Sequence, residues 1–235
     1  MALTYEDVKK EFMAAVDGDA KCQKLMRQIY DGKGTYKTAN DLAVRVGQKL
    51  GGVLKAHEPI NGIDEWDYID LIPKTWGLDH QIMADACKGV QETMNQKAGL
   101  GIKYKEPKFD MDRVNGIITE LTEHPDFSSI NKTFYDQLVN FSQNVVDESI
   151  RENAGVMYRS GIKTMVIRQA EAGGCKWCQE QAGVYDYNEV KDRGNDVWRR
   201  HDNCNCTLDF ITERNGSMYR ERTGAGIGLR VPQWD

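Results

Sequence analysis

Four of the chain's six cysteines fall between positions 175 and 206. They form two tight pairs, Cys175 with Cys178 and Cys204 with Cys206, and His201 stands three residues before Cys204. Thiolates and imidazole are the ligands zinc prefers, four to an ion in a tetrahedron. A C-x2-C turn can set two thiolates on one ion, and Gly173 and Gly174 permit the tight backbone that leads into it. The second pair arrives from the far end of a 25-residue spacer and would close the site. The metal reading therefore uses Cys175 and Cys178 with two of His201, Cys204 and Cys206, and takes zinc as a structural cofactor. Two other readings stay open: reduced thiols packed as small apolar side chains, and disulfides across the pairs. Cys22 and Cys87 lie on apolar helical faces and read as plain core residues.

The same residue types could do catalysis. Cys204, His201 and Asp202 are a nucleophile, a base and an orienting acid, but groups so close in sequence rarely reach the geometry of a triad. A zinc deaminase needs H-x-E ahead of P-C-x-x-C. Here that order is reversed, and the Glu and the Pro are missing. A metal-dependent nuclease working through His201, Asp202 and Asn203 is the strongest enzymatic alternative. The expectation is that the protein is not an enzyme.

The elements that must hold this cluster read as a helical body followed by a small β-containing module. Thr4 and Asp7 cap a first helix with Val8, Phe12, Ala15 and Val16 on one face, and Gly18 ends it. A second helix turns Cys22, Leu25, Met26 and Ile29 inward, and DGKGTYKT follows as a loop. Thr38 with Asp41 repeats the capping pattern before Leu42, Val46, Leu50, Val53 and Leu54. Residues 57–77 read as a connector whose Trp66, Tyr68 and Trp76 pin it to the surface. Asp79 caps the next helix, which carries Ile82, Met83, Ala86, Val90 and Met94. Residues 98–110 read as a hinge, Val114 to Leu121 as a helix, and HPDFSS as a turn. The longest helix is expected over about 129–157. Its Phe134, Leu138, Phe141 and Val145 span two heptads, which favours a core helix over a coiled coil. After Gly161 the period changes: IKTMVIRQA and CTLDFIT read as strands. The fold class is thus α+β, mostly helical, with domains at 1–105, 106–213 and a Gly/Arg-rich tail at 214–235.

A net charge of −5 argues against a uniformly basic nucleic-acid coat. A composition 40% hydrophobic and 29% charged suits a globular chain with a buried core. The acidic first turns do not look like a secretory signal. A cytoplasmic setting keeps thiols reduced, which favours metal ligands over structural disulfides.

The order of these motifs carries a resemblance. "MVIRQAEAGGCKWCQEQAG" is followed by a spacer and then "VWRRHDNCNCTLDF". This resembles the C-terminal module of phage Mu protein F-like minor head proteins, the MuF family, in Cys175, Cys178, Gly183, His201, Cys204 and Cys206. The likeness runs back through "NFSQNVVDESIRENAGVMYRSGI" and covers roughly residues 110–212. Val197 to Arg200 departs from the proline-rich approach of many members. The resemblance implies a minor structural head protein of a tailed phage or prophage, located in the virion and, during assembly, in the host cytoplasm. Its implied partners are portal and capsid proteins, with no membrane. Arg199 and Arg200 would meet an acidic partner surface or packaged DNA. A non-viral zinc-binding adaptor is a further alternative. Trp177 and Trp198 flank the cysteine pairs and are expected to cover the metal and fill the module's small core.

Overall fold

The structure, a computed structural model, describes residues 4–57, 65–123, 131–201 and 204–214, without the side chains of 65–69 and 131. The expected turn at 124–129, the tail beyond 214, Asp202, Asn203 and the side chains of Trp66 and Tyr68 lie outside the described residues.

Helix α1 (Tyr5–Asp17) begins as expected. The Asp7 N–H donates to the Thr4 hydroxyl, and the Thr4 N–H donates to the Asp7 carboxylate at 3.2 Å. Asp19 caps α2 (Ala20–Tyr30). Helix α3 (Tyr36–Ala56) starts one turn earlier than the sequence suggested. Its N-cap is Thr35, and Thr38 supplies the return bond. Tyr36, assigned to a loop because of its glycine neighbours, is instead core, and its hydroxyl donates to Gln91 at 2.7 Å.

The expected connector is corrected more strongly. Helix α4 (Glu65–Lys97) takes up its 65–77 part with Pro73 inside, and 58–64 lie outside the described residues. A helical proline costs about 3 kcal/mol. Leu71, Ile72 and Trp76 are buried around it, and such side chains return about 1.5–3 kcal/mol each. Burial outweighs the missing hydrogen bond. Trp76 is therefore a core residue, 4.8 Å from the Phe141 ring, and not a surface pin. The expected hinge at 98–110 is also corrected, because it is an extended strap laced to two helices. The Lys105 N–H donates to Asn153 at 2.8 Å, Asn153 donates back to the Lys105 carbonyl, and the Asn95 amide holds the Ile102 carbonyl. Phe109 packs edge-on between His80 and Phe141.

Helix α5 (Met111–Glu123) buries Val114, Ile117 and Leu121. Helix α6 (Asn131–Arg159) is the central rod, and Phe134, Leu138, Phe141 and Val145 all face the core. It packs along α3 at a close crossing made possible by Gly47. A methyl group there would sit 2.7 Å from Val139 Cα and 2.8 Å from Ser142 Oγ. Gly47→Ala should gain helix propensity yet lower stability by about 1–3 kcal/mol, since two backbones must part. A urea midpoint at or above wild type would contradict this.

Asp79 is not a cap. It lies inside α4, buried, with Ser142 as its hydrogen-bond partner among the described residues. The Ser142 oxygen is 3.0 and 2.9 Å from the two carboxyl oxygens and 3.1 Å from the Leu138 carbonyl. A hydroxyl has one proton to give. A protonated Asp79 that donates to Ser142, which donates to Leu138, satisfies all three groups. Burial drives this carboxyl up to about 7, offset in part because in the anion Ser142 can turn its one proton onto the carboxylate. The folded pKa lies above the unfolded value, so stability falls as pH rises from about 4 to about 7, and the whole penalty is present above that. Linkage makes the penalty on the order of 4 kcal/mol, while an asparagine leaves one N–H unmatched at about 1–2 kcal/mol. Asp79→Asn should therefore stabilise by about 2 kcal/mol at pH 8 and lose that advantage at pH 4. Parallel denaturant melts at the two pH values would show it.

The C-terminal module contains β1 (Thr164–Gln169), α7 (Lys176–Glu180), β2 (Gly183–Asp186), α8 (Tyr187–Val190) and β3 (Thr207–Thr212). The sheet order is β2-β1-β3, antiparallel throughout. β1 and β3 are the expected strands, and β2 is an addition. One face, bearing Val166, Leu208 and Phe210, joins the same core cluster as the helices, and β3 packs on α3 and α6. The architecture is α+β, mostly helical, with the small sheet near the C-terminal end of the described chain and a Cys/His cluster beside it.

Candidate metal centre

Cys175 is the N-cap of α7, with Gly173 ahead of it at φ 84°. Its sulfur accepts the Cys178 N–H at 3.4 Å, the local bond that folds a C-x2-C turn around a shared point. The positive φ at Gly173 suits the glycine that the sequence placed there. Cys206 directly precedes β3, so the β1–β3 ladder carries the second pair up to the first. The Cys204 N–H donates to the His201 carbonyl at 3.2 Å, and Cys204 is buried while His201 stays exposed.

All five expected residues come together, in two overlapping groups. Cys175, Cys178 and His201 form one, and Cys178, Cys204 and Cys206 the other, with ligand atoms within 4.8 Å of one another in each. The His201 Nε2 lies 3.2 Å from the Cys175 sulfur and 2.9 Å from that of Cys178. The Cys178 and Cys204 sulfurs are 3.8 Å apart. Two sulfurs on one tetrahedral zinc, each at ~2.3 Å, stand about 3.8 Å apart. The donor set and this spacing both fit a metal ion. Cys178, Cys204 and Cys206 are buried, while Cys175 and His201 face solvent. Cys22 and Cys87 are buried core residues, as expected.

The electrostatics favour thiolate at two positions. Cys204 is drawn down to about 4, first by the Cys206 thiol that donates to it, against the cost of burial, and then by the Cys206 N–H, Arg200 and Arg168. Cys206 is pushed up by the same bond and by burial. Cys175 is lowered chiefly by the Cys178 N–H, and burial raises Cys178. Metal binding requires deprotonated sulfur, so this field favours loading at Cys175 and Cys204 and opposes it at Cys178 and Cys206.

A supporting layer surrounds the cluster. Arg168, on the helix-facing side of β1, is wholly buried. Its guanidinium donates to the Val197 and Arg199 carbonyls at 2.6 and 2.8 Å, lies 3.8 Å from the Cys204 sulfur, and sits over the Trp177 ring at 5.0 Å. Trp177 meets His201 edge-on at 5.8 Å and covers the cluster. Trp198 is buried in the module's core, its indole N–H donating to the Val190 carbonyl. Both tryptophans have the expected covering and filling roles.

Arg200 requires a correction. It was expected to offer its charge to DNA or to an acidic surface, but its side chain is 5% exposed and forks onto Asp147 of α6, itself 3% exposed. It also donates to the Cys204 and Cys206 carbonyls and to Asn40 of α3. Burial works against that charge, and Asp147 more than offsets it. Gln143 of α6 adds bonds to Asn40 and to the Cys204 carbonyl, each at 3.2 Å. Arg199 is exposed and pairs with Asp196 at 3.1 Å. Arg168, Asp147, Asn40 and Gln143 were missed in the sequence. Their one visible signal was a charged or amide residue inside an apolar strand or helix stripe.

Fold and cluster together define a class: a mostly helical α+β protein whose small sheet carries Cys/His groups close enough to hold a metal ion. No family model, no curated protein and no solved structure matches the chain.

Proposed function

We propose that the protein is a minor structural head protein of a tailed phage or prophage, associated with the portal, whose C-terminal module is pinned by a structural zinc. The observation that carries this reading is the convergence of Cys175, Cys178, His201, Cys204 and Cys206, the residues whose order along the chain resembles the MuF family. Thiolate and imidazole donors are soft ligands suited to zinc rather than to magnesium, which takes oxygen. Among the described residues, both ligand groups consist of cysteine and histidine alone. This donor set supports a structural role over a magnesium-dependent nuclease. Portal and capsid proteins are the proposed partners, and Arg199 is the member of the arginine pair left to meet an acidic surface or phosphate.

Particle composition tests the proposal. Purified phage heads from a strain encoding the protein should contain it in a few copies, released together with the portal on disassembly. Absence from DNA-filled heads would overturn the reading. Plasmid DNA should remain intact in the presence of Mg or Mn, and cleavage abolished by His201→Ala would favour the nuclease instead.

A further inference from the structure

A cleft lies where the outer face of α3 meets the cysteine-bearing end of the sheet. It encloses about 550 Å3 and is walled by Lys21, Arg45 and Gln48 on one side and by Glu171, Asn205 and Thr207 on the other. We infer that this cleft is a docking site for an acidic, extended peptide segment of a partner protein.

Asn40 lies at the inner wall and is 97% buried by its 3% exposure. Its Oδ1 accepts from Gln143 and from Arg200, at 3.2 and 3.1 Å. Two donors on one oxygen fix the orientation of the amide. The Nδ2 then points the other way, toward the cleft, with no hydrogen-bond partner among the described residues. That nitrogen is reached by solvent through the cleft, so a ligand acceptor can take the place of water on its N–H.

The charges select the ligand. The Lys21 ammonium has no ion-pair partner among the described residues and stands exposed at the rim. Arg45 shares the Asp19 carboxylate with Lys49, so one carboxylate faces two cations. Lys37 is matched by Asp41. The surplus is positive but small, and it is interleaved with Asp41 and Glu171. A nucleic-acid backbone, charged at every step, would meet those carboxylates. A peptide with spaced acidic side chains would not, and its amide groups can pair with the carboxamides of Asn40, Gln48 and Asn205. The cleft also adjoins the Cys204–Cys206 loop, so a peptide seated there would touch both the helical body and the cysteine module.

A fluorescein-labelled octapeptide alternating glutamate and glycine is a suitable probe, titrated against the full-length protein and followed by anisotropy. Saturable binding is expected, weakened about tenfold by Lys21→Glu and unchanged by Lys10→Glu on α1, as follows from reversing one steering charge at a contact. Lys21 is exposed at the start of α2, where a glutamate is compatible with the helix N-terminus, so the variant remains folded. Equal affinity for a lysine–glycine octapeptide, or binding indifferent to Lys21→Glu, would overturn the inference. Displacement by inorganic phosphate, where sodium chloride of equal ionic strength has no effect, would reassign the cleft to a free anion and also overturn it.

Discussion

Cys178→Ser is expected to strip metal from the C-terminal module and to unfold its sheet. Cys178 belongs to both ligand groups, so no choice of four ligands that respects both can omit it. The module's own elements are short, with strands of six, four and six residues and two helices of five and four. A structural zinc contributes about 10–16 kcal/mol to the folding of small zinc domains. The helix-facing side of the sheet is packed on α3 and α6, which limits the loss to the module itself. Amide protons of β1 and β3 should exchange at rates near those of an unfolded chain, while α1 to α4 keep their protection. Full retention of exchange protection in β3 would mean that the sheet stands on apolar packing alone, and the zinc clasp would be refuted.

Arg200→Met has the second-largest expected effect. Removing the guanidinium leaves Asp147 buried at 3% exposure without its cation. Breaking one side of a buried ion pair costs about 3–5 kcal/mol. The Cys204 and Cys206 carbonyls lose donors in the same step. The double variant Arg200→Met with Asp147→Leu should recover much of that loss, because an apolar pair of similar size often replaces a buried ion pair at little cost. Urea unfolding of the two variants decides it. A single variant as stable as wild type would mean that Asp147 finds another partner or a proton at no cost.

The parts of this fold written in local pattern were legible in the sequence. The Thr4–Asp7 box, the apolar stripe of α6, strands β1 and β3 and the two short Cys/His motifs are each set by neighbours a few residues apart. What was misread depends on distant partners. Pro73 and the acids around it looked like a loop until Trp76 found Phe141. Asp79 looked like a cap because caps are where aspartate usually earns its place, and only Ser142, far along the chain, reveals it as a buried acid. The glycines and lysines of 98–110 suggested freedom, yet Asn95 and Asn153 hold the segment at Ile102 and Lys105. β2 is four residues with no alternation to announce it. Arg200 read as surface charge because its partner lies 53 positions earlier, on α6.

The most direct measurement is the metal content of protein purified without a metal-affinity tag, taken together with a count of thiols that react under native conditions. The account predicts one zinc per chain, with the cysteines of the cluster protected until a chelator or denaturant is added. A metal-free protein whose clustered thiols react freely, on a module that nevertheless keeps its melting behaviour, would contradict it.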